Sequence, residues 1–323
     1  MTMPDLLRFG ITPGQLAYAA ALLRDGRLIA FPTETVYGLG ANALDAAAVE
    51  RIYQAKGRPH SSPIIVHVSD LEMAMEVVAT WPDAARRLAE KFWPGPLTLV
   101  LPKTRAVPEL VTAGLATVGV RMPAHPVALA LIQAAHVPIA APSANRFTQL
   151  SPTSAEHVRE SLGDCVDYIL DGGHCNVGIE STVLSLAEAK PVLYRPGGIS
   201  RQQIEEIIGA VAVAFNKPGQ AHASPGLHPR HYSPRTRLLL VEHGDVPEQG
   251  SGAYVQLTHT PRRAVIEIVT LPNDATEYAS RLYNILHTLD SRGYDWIALD
   301  TPPGTPEWEA VLDRLRRAAL ADS

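Results

Sequence analysis

The chain has 323 residues, a hydrophobic content of 46%, a charged content of 19% and a formal net charge of −5. This is a globular balance with enough apolar mass for real cores and, by length, room for two domains. The negative balance argues against a broadly basic surface for nucleic acid or anionic membrane, so any anion site has to be local.

In chain order, residues 14–25 read as a helix and "RLIAF" as a strand ending at Pro32. "AAAVERIYQAKG" has helical spacing, with Gly57 as its stop. "PIIVHV" is a short apolar strand of the kind buried on both faces. "MAMEVVATW" and "DAARRLAEKFW" read as helices, "LTLVLP" and "TVGVRMP" as strands, and "PVALALIQAA" as a helix. "VPIAAPSAN" is a strand running into a loop, and "DYILDGG", "STVLSL" and "PVLYRPGG" give three more strands. The imperfect alternation over 1–210 predicts an α/β unit with a mixed sheet.

Residues 216–235, rich in Pro, Gly, His and Ser, read as a linker. Beyond it, "RLLLVEH", "GAYVQL", "VIEIVTL" and "WIALD" are strand candidates, and 275–292 is a strongly amphipathic helix. In the last helix Trp308, Val311, Leu312 and Leu315 align, with Arg314, Arg316 and Arg317 expected to point away. The expected division is a first domain over 1–212, a linker or lid over 213–235 and a small α/β domain over 236–323. The two cysteines, Cys165 and Cys175, are too few for a disulfide framework, and no apolar run reaches about 18 residues. With no cationic segment leading into "LAYAAALL", no signal peptide is expected, and the reading is a soluble cytoplasmic protein.

"GLGANA" satisfies G-x-G-x-x-A, yet "PTETVY" before it makes no clean strand and no acidic residue follows about twenty residues on, so a dinucleotide fingerprint is rejected. A P-loop motif is absent. The local anion signal lies in "AKGRP". Pro59 disfavours helix at Arg58, which predicts an extended K-x-R run with Lys56 and Arg58 on one face. The same two-residue spacing pairs Thr33 with Thr35, opposite Glu34, and Ser143 with Asn145. His67 lies on the strand face opposite Ile64, Val66 and Val68, while Arg121 and Arg195 end strands. Each alone has a bland reading: a solvated turn, a core histidine, loop residues bonding their own backbone, or an arginine paired to a carboxylate. Their coincidence at strand-end loops points to an α/β protein with a phosphate or carboxylate pocket.

"FPTETVYGLGANA", "KGRP…PIIVHV", "FWPGPLTLVL", "VGVRMPAHP", "PIAAPSAN…SPT", "DGG…GIESTV" and "LYRPGG", in that order over roughly residues 12–210, resemble the YrdC-like family. The "HYSP" linker and small C-terminal domain are similar to the family's longer, two-domain form. The resemblance implies a twisted mixed sheet around a concave cavity, with a Rossmann-like second domain. It implies condensation of L-threonine, bicarbonate and ATP, with Mg²⁺, into threonylcarbamoyl-adenylate and pyrophosphate. A downstream complex would then modify tRNAs that read codons starting with A, with no stable tRNA binding by this chain. By motif, Lys56, Arg58, Ser143 and Asn145 would serve catalysis, and Thr35, His67, Arg121, Ala141 and Ser181 would surround threonine. Arg58, Ser62, Thr117, Ser143, Ser151, Arg195 and Tyr232 would contact ATP, and no protein metal ligand is implied. An RNA-binding module and a carbamoyl transferase are the rival readings. The net charge opposes the first, and the small number of cysteines opposes a zinc-finger-bearing form of the second.

Overall fold

The computed structural model describes residues 4–214 and 232–319. Ten short strands form the first sheet: β1 (Ile29–Phe31), β2 (Gly38–Asn42), β3 (Val66–His67), β4 (Leu97–Pro102), β5 (Thr117–Arg121), β6 (Ile139–Ala140), β7 (Tyr168–Ile169), β8 (Thr182–Ser185), β9 (Val192–Arg195) and β10 (Ala212–Val213). Their order is β10-β9-β8-β4-β5-β3-β6-β2-β1-β7, with parallel and antiparallel neighbours interleaved. This is the mixed sheet expected from imperfect alternation.

The rejected "GLGANA" turns out to be β2. A Cβ at Gly40 would lie 2.7 Å from the Phe31 ring and 2.8 Å from Ile139, so glycine is needed for the strands to approach, not for a phosphate. "PIIVHV" narrows to β3, which is only two residues long, with Val66 and Val68 packed into the main core and His67 on the other face.

Local signals set the helix that matters most. The Asp45 side chain accepts from the amides of Ala47 and Ala48 and caps the helix Ala46–Lys56. Gly57, at φ 63°, ends it in the left-handed conformation that glycine adopts freely. The helix therefore runs through Lys56, which corrects the expected extended K-x-R run. Arg58 turns back, its amide on the Tyr53 carbonyl at 3.0 Å, and the two cations diverge.

The second sheet comprises β11 (Arg237–Val241), β12 (Gly252–Gln256), β13 (Glu267–Thr270) and β14 (Trp296–Asp300), all parallel in the order β11-β14-β12-β13. Helices Ala275–Asp290 and Glu309–Ala319 pack on it. Its apolar cluster also takes in Val36, Leu150 and Ile179 of the first unit, so the two domains share a core. Gly178 permits the close approach: a Cβ there would meet the Ala279 carbonyl at 2.5 Å. Among the described residues, no helix is long and apolar enough to cross a membrane.

Candidate active site

Loops leaving β1 and β6, the loop entering β8, the strand β3 and the last residues of β5 and β9 converge on one hollow. It encloses about 550 Å³ of empty space, part of it open to solvent. Of the expected site residues, Thr35, Arg58, His67, Arg121, Ala141, Ser143, Ser181, Arg195 and Tyr232 line it. All five residues expected around threonine are thus together, and three arginines face one space in a chain of net charge −5.

Arg121 is fixed from three sides. Its guanidinium donates to the Thr35 hydroxyl at 3.0 Å and the Gly95 carbonyl at 3.2 Å, and forms an ion pair with Glu34 at 2.6 Å. Glu34 also accepts from the Ala124 amide at 3.0 Å. The bland reading of Arg121 as paired to a carboxylate and the functional reading of Arg121 as part of the pocket therefore both describe it. Thr33 and Thr35 do share a side, their hydroxyls 2.8 Å apart.

His67 stands opposite Arg121 in the parallel register of β3 and β5. Burial, with Arg121 adding to it, lowers its pKa to about 3, so the ring is neutral near pH 7. Its buried Nδ1 has no hydrogen-bond partner among the described residues. A buried polar nitrogen left open at a pocket wall is a position for a ligand group.

Arg58 donates to the Ser62 hydroxyl at 2.6 Å and the carbonyls of Ser62 and Pro63 at 3.3 and 2.8 Å, with the Phe147 ring 5.7 Å away. Burial pulls its pKa down to about 10, still charged at neutral pH. No carboxylate among the described residues is recorded as its ion-pair partner. Ser62 thus lies behind Arg58 and orients it. Arg195 donates to the Ser181 carbonyl and hydroxyl at 3.1 and 3.2 Å, and the Ser181 hydroxyl also meets Thr98 at 2.8 Å.

The remaining expected residues lie outside the hollow. Lys56 sits behind the wall, its buried ammonium donating to the carbonyls of Ser143, at 2.6 Å, and Asn145. Burial, reinforced by Arg58, lowers its pKa. Ser143 and Asn145 do not share a face, because the chain bends after β6. Ser143 enters the hollow, while the Asn145 amide donates to the carbonyls of Arg146 and Gln149 at 2.8 and 2.9 Å. Thr117, at the far end of β5 from Arg121, lines a smaller adjoining hollow that shares Ile65. The Ser151 hydroxyl donates to Glu180 at 2.5 Å rather than facing the space.

Sequence reasoning missed Glu34, Glu180 and Arg314. Arg314 is not turned away from the apolar face but is 1% exposed, which corrects the helix-wheel reading. It donates to Glu180 at 2.8 Å and to the Pro196 carbonyl at 2.9 Å, across the domain boundary. Its guanidinium lies 5.2 Å from the Tyr232 ring. Tyr232 itself is buried in the hollow's wall with φ at 63°. The linker before it, residues 215–231, where a lid was expected and where His222, His228 and His231 fall, lies outside the described residues.

Fold and site together define a two-domain α/β protein with an arginine-lined hollow whose wall residue Glu180 is held from behind by the second domain. Residues 21–197 match the Sua5/YciO/YrdC family model, described as "Telomere recombination". Residues 199–320 match that of the "Threonylcarbamoyl-AMP synthase, C-terminal domain". The chain is 41% identical to the threonylcarbamoyl-AMP synthase of Pyrococcus abyssi, over 99% of this chain and 98% of that one. It is 42% identical to that of Bacillus subtilis, over 94% and 93%. The crystal structure of P. abyssi Sua5 complexed with L-threonine is 40% identical, covers 96% of this chain and 95% of that chain, and superposes with a TM-score of 0.89. The chain belongs to the threonylcarbamoyl-AMP synthase family.

Proposed function

We propose that the chain condenses L-threonine, bicarbonate and ATP into threonylcarbamoyl-AMP and pyrophosphate, which a downstream complex uses to modify tRNA. The observation that carries this reading is the hollow itself: Arg58, Arg121 and Arg195, buried, face one space with a neutral His67 and three hydroxyl side chains from Thr35, Ser143 and Ser181. A family relative complexed with L-threonine supports the amino-acid half.

In this reading Arg121, its planar guanidinium oriented by Glu34 and Thr35, takes the α-carboxylate of threonine. Val36, Ile65 and Ala141 offer apolar surface for its methyl group, worth roughly 1–3 kcal/mol against serine. The His67 Nδ1 is a hydrogen-bond partner for threonine's polar groups; with a pKa of about 3 it is too weak a base to store a proton. The neutral amine takes up bicarbonate carbon, losing water, and the new N-carboxylate oxygen attacks the α-phosphorus of ATP. The bond to the β-phosphate bridge breaks, and pyrophosphate leaves. Two anions must meet, so the fixed guanidinium groups of Arg58 and Arg195 offset their repulsion without reorganising. Lys56 serves by holding the 143–145 loop, so that the Ser143 hydroxyl points at the nucleotide.

Glu180 in the wall and Glu34 behind Arg121 are both engaged by arginines, and no cluster of three acidic, His or Cys residues suited to a metal occurs among the described residues. Mg²⁺ therefore fits as a companion of ATP, held by phosphate oxygens and water, where it would offset charge. The test is pyrophosphate release from ATP, Mg²⁺, bicarbonate and threonine, with the adenylate product followed by chromatography. Release should require both threonine and bicarbonate. Equal release without threonine, or none under any condition, would refute the reading.

A further inference from the structure

Glu180 is the one acidic residue among the described residues lining the hollow, an awkward wall for a site that must accept a triphosphate. Its carboxylate is saturated, and mostly from the other domain. Ser151 donates at 2.5 Å, while Tyr283, on helix Ala275–Asp290, and Arg314, on helix Glu309–Ala319, donate at 3.2 and 2.8 Å. Arg314 also reaches the Glu180 carbonyl at 3.3 Å. The charged and titratable groups that face this cluster are Arg195 from β9, Tyr232 from the linker, and Tyr283, Asp313 and Arg314 from the second domain. We infer that Arg314 is a positioning residue of the pocket, delivered by the second domain to neutralise Glu180 and to back the Tyr232 ring, so that the wall carboxylate does not repel the incoming triphosphate.

Burial pushes the Glu180 carboxyl up, but Arg314, then Arg195 and the Ser151 hydroxyl, outweigh it and hold the group below its ordinary value. Without Arg314 the main influence opposing burial is lost, and the pKa of Glu180 moves upward. Below that pKa the wall is neutral and admits anions; above it, an uncompensated charge opposes them. A residue that only packed the interface would weaken activity equally at every pH.

This rests on the reading of the hollow as an ATP site, and the experiment separates the two. kcat/KM for ATP is measured from about pH 6 to about pH 9 for the full chain, R314M, R314K, E180Q and E180Q/R314M. Tripolyphosphate affinity is measured by calorimetry alongside, as a probe of anion retention that needs no turnover. R314M should lose about tenfold in both quantities at the alkaline end, with the deficit shrinking toward the acid end. R314K should retain most of the wild-type values, and E180Q/R314M should follow the wild-type pH dependence. A deficit in R314M that is constant with pH, or a double variant no better than R314M, overturns the proposal. Should R314M not fold, R314K and E180Q/R314M decide it: both binding tripolyphosphate near wild-type strength supports the proposal, and a tenfold loss in the double variant sinks it. Loss of pyrophosphate release in the wild type would fell the ATP reading alone, because tripolyphosphate binding still reports on the carboxylate.

Discussion

Replacing Lys56 by methionine discriminates between a cation that touches substrate and one that holds the wall. The ammonium donates to the Ser143 and Asn145 carbonyls from a buried position and is absent from the hollow's lining. Lys56→Met keeps the volume of the stem and removes both bonds. Each hydrogen bond to a charged group is worth about 1.5–3 kcal/mol, and the two carbonyls are left buried without a donor. Against this, the ammonium no longer has to be desolvated, a relief of several kcal/mol. The balance is a loss of about 3 kcal/mol, or roughly 6–12 °C in melting temperature for a domain of this size. Turnover should fall with it, because the Ser143 loop loses its anchor. Differential scanning calorimetry of the variant, paired with pyrophosphate release, makes the measurement. If K56M melts within about a degree of wild type while KM for ATP rises, Lys56 reaches the nucleotide and its placement behind the wall is wrong.

Arg58→Ala removes a guanidinium that faces the hollow and should cost about 100-fold in kcat/KM, measured on the folded fraction. Near-normal rates would remove Arg58 from the chemistry. Ser62→Ala, which only frees Arg58, should cost about tenfold, read by the same assay. Glu34→Gln leaves Arg121 buried without its counter-charge and should destabilise by about 3–5 kcal/mol in urea unfolding, with Glu34→Gln/Arg121→Met recovering much of that stability though not activity. For His67, the folded pKa of about 3 lies below the unfolded value near 6.5, so its stabilising contribution is complete above about pH 6.5 and drains away as pH falls. Between about pH 7.5 and 5.5 wild type should lose about 1.4 kcal/mol that His67→Gln does not lose, and identical pH dependence of unfolding in the two proteins would contradict a buried neutral ring.

The residues that sequence placed correctly are those whose role is set by neighbours along the chain. Gly57 as a helix stop follows from its left-handed backbone, and the side taken by His67 follows from the two-residue period of a strand. Arg121 and Arg195 are read as strand ends because their strands are apolar runs bounded by proline or glycine. The misreadings, and the rightly rejected GLGANA decoy, each have their own physical cause. The K-x-R spacing implies a shared face only if the backbone is extended, and the Asp45-capped helix carries Lys56 out of that geometry. Glycines in β2 mimic a phosphate loop because the reason for them is Phe31 and Ile139, which lie elsewhere in sequence. Arg314 looks solvated on a helical wheel, since its partner Glu180 is 134 residues away. Buried ion pairs leave no periodic trace.

The charge arrangement also bears on what an occupied pocket would do to stability. Glu34 answers Arg121 and Glu180 answers Arg314, so these two guanidinium groups are neutralised before any substrate arrives. Arg58 differs: its named partners are the neutral oxygens of Ser62 and Pro63 and the Phe147 ring. Among the described residues it meets dipoles alone, and a buried cation so placed is held at a cost of several kcal/mol that falls when an anion is seated beside it. In the proposed reading, part of the affinity for a phosphate chain would be relief of that cost. The same relief stabilises the folded state by RT ln(1 + [L]/Kd), about 2.7 kcal/mol at a hundredfold excess over Kd. Because Arg58 hangs from the last turn of the Ala46–Lys56 helix and Lys56 grips the loop of Ser143, the gain is shared by both walls of the hollow.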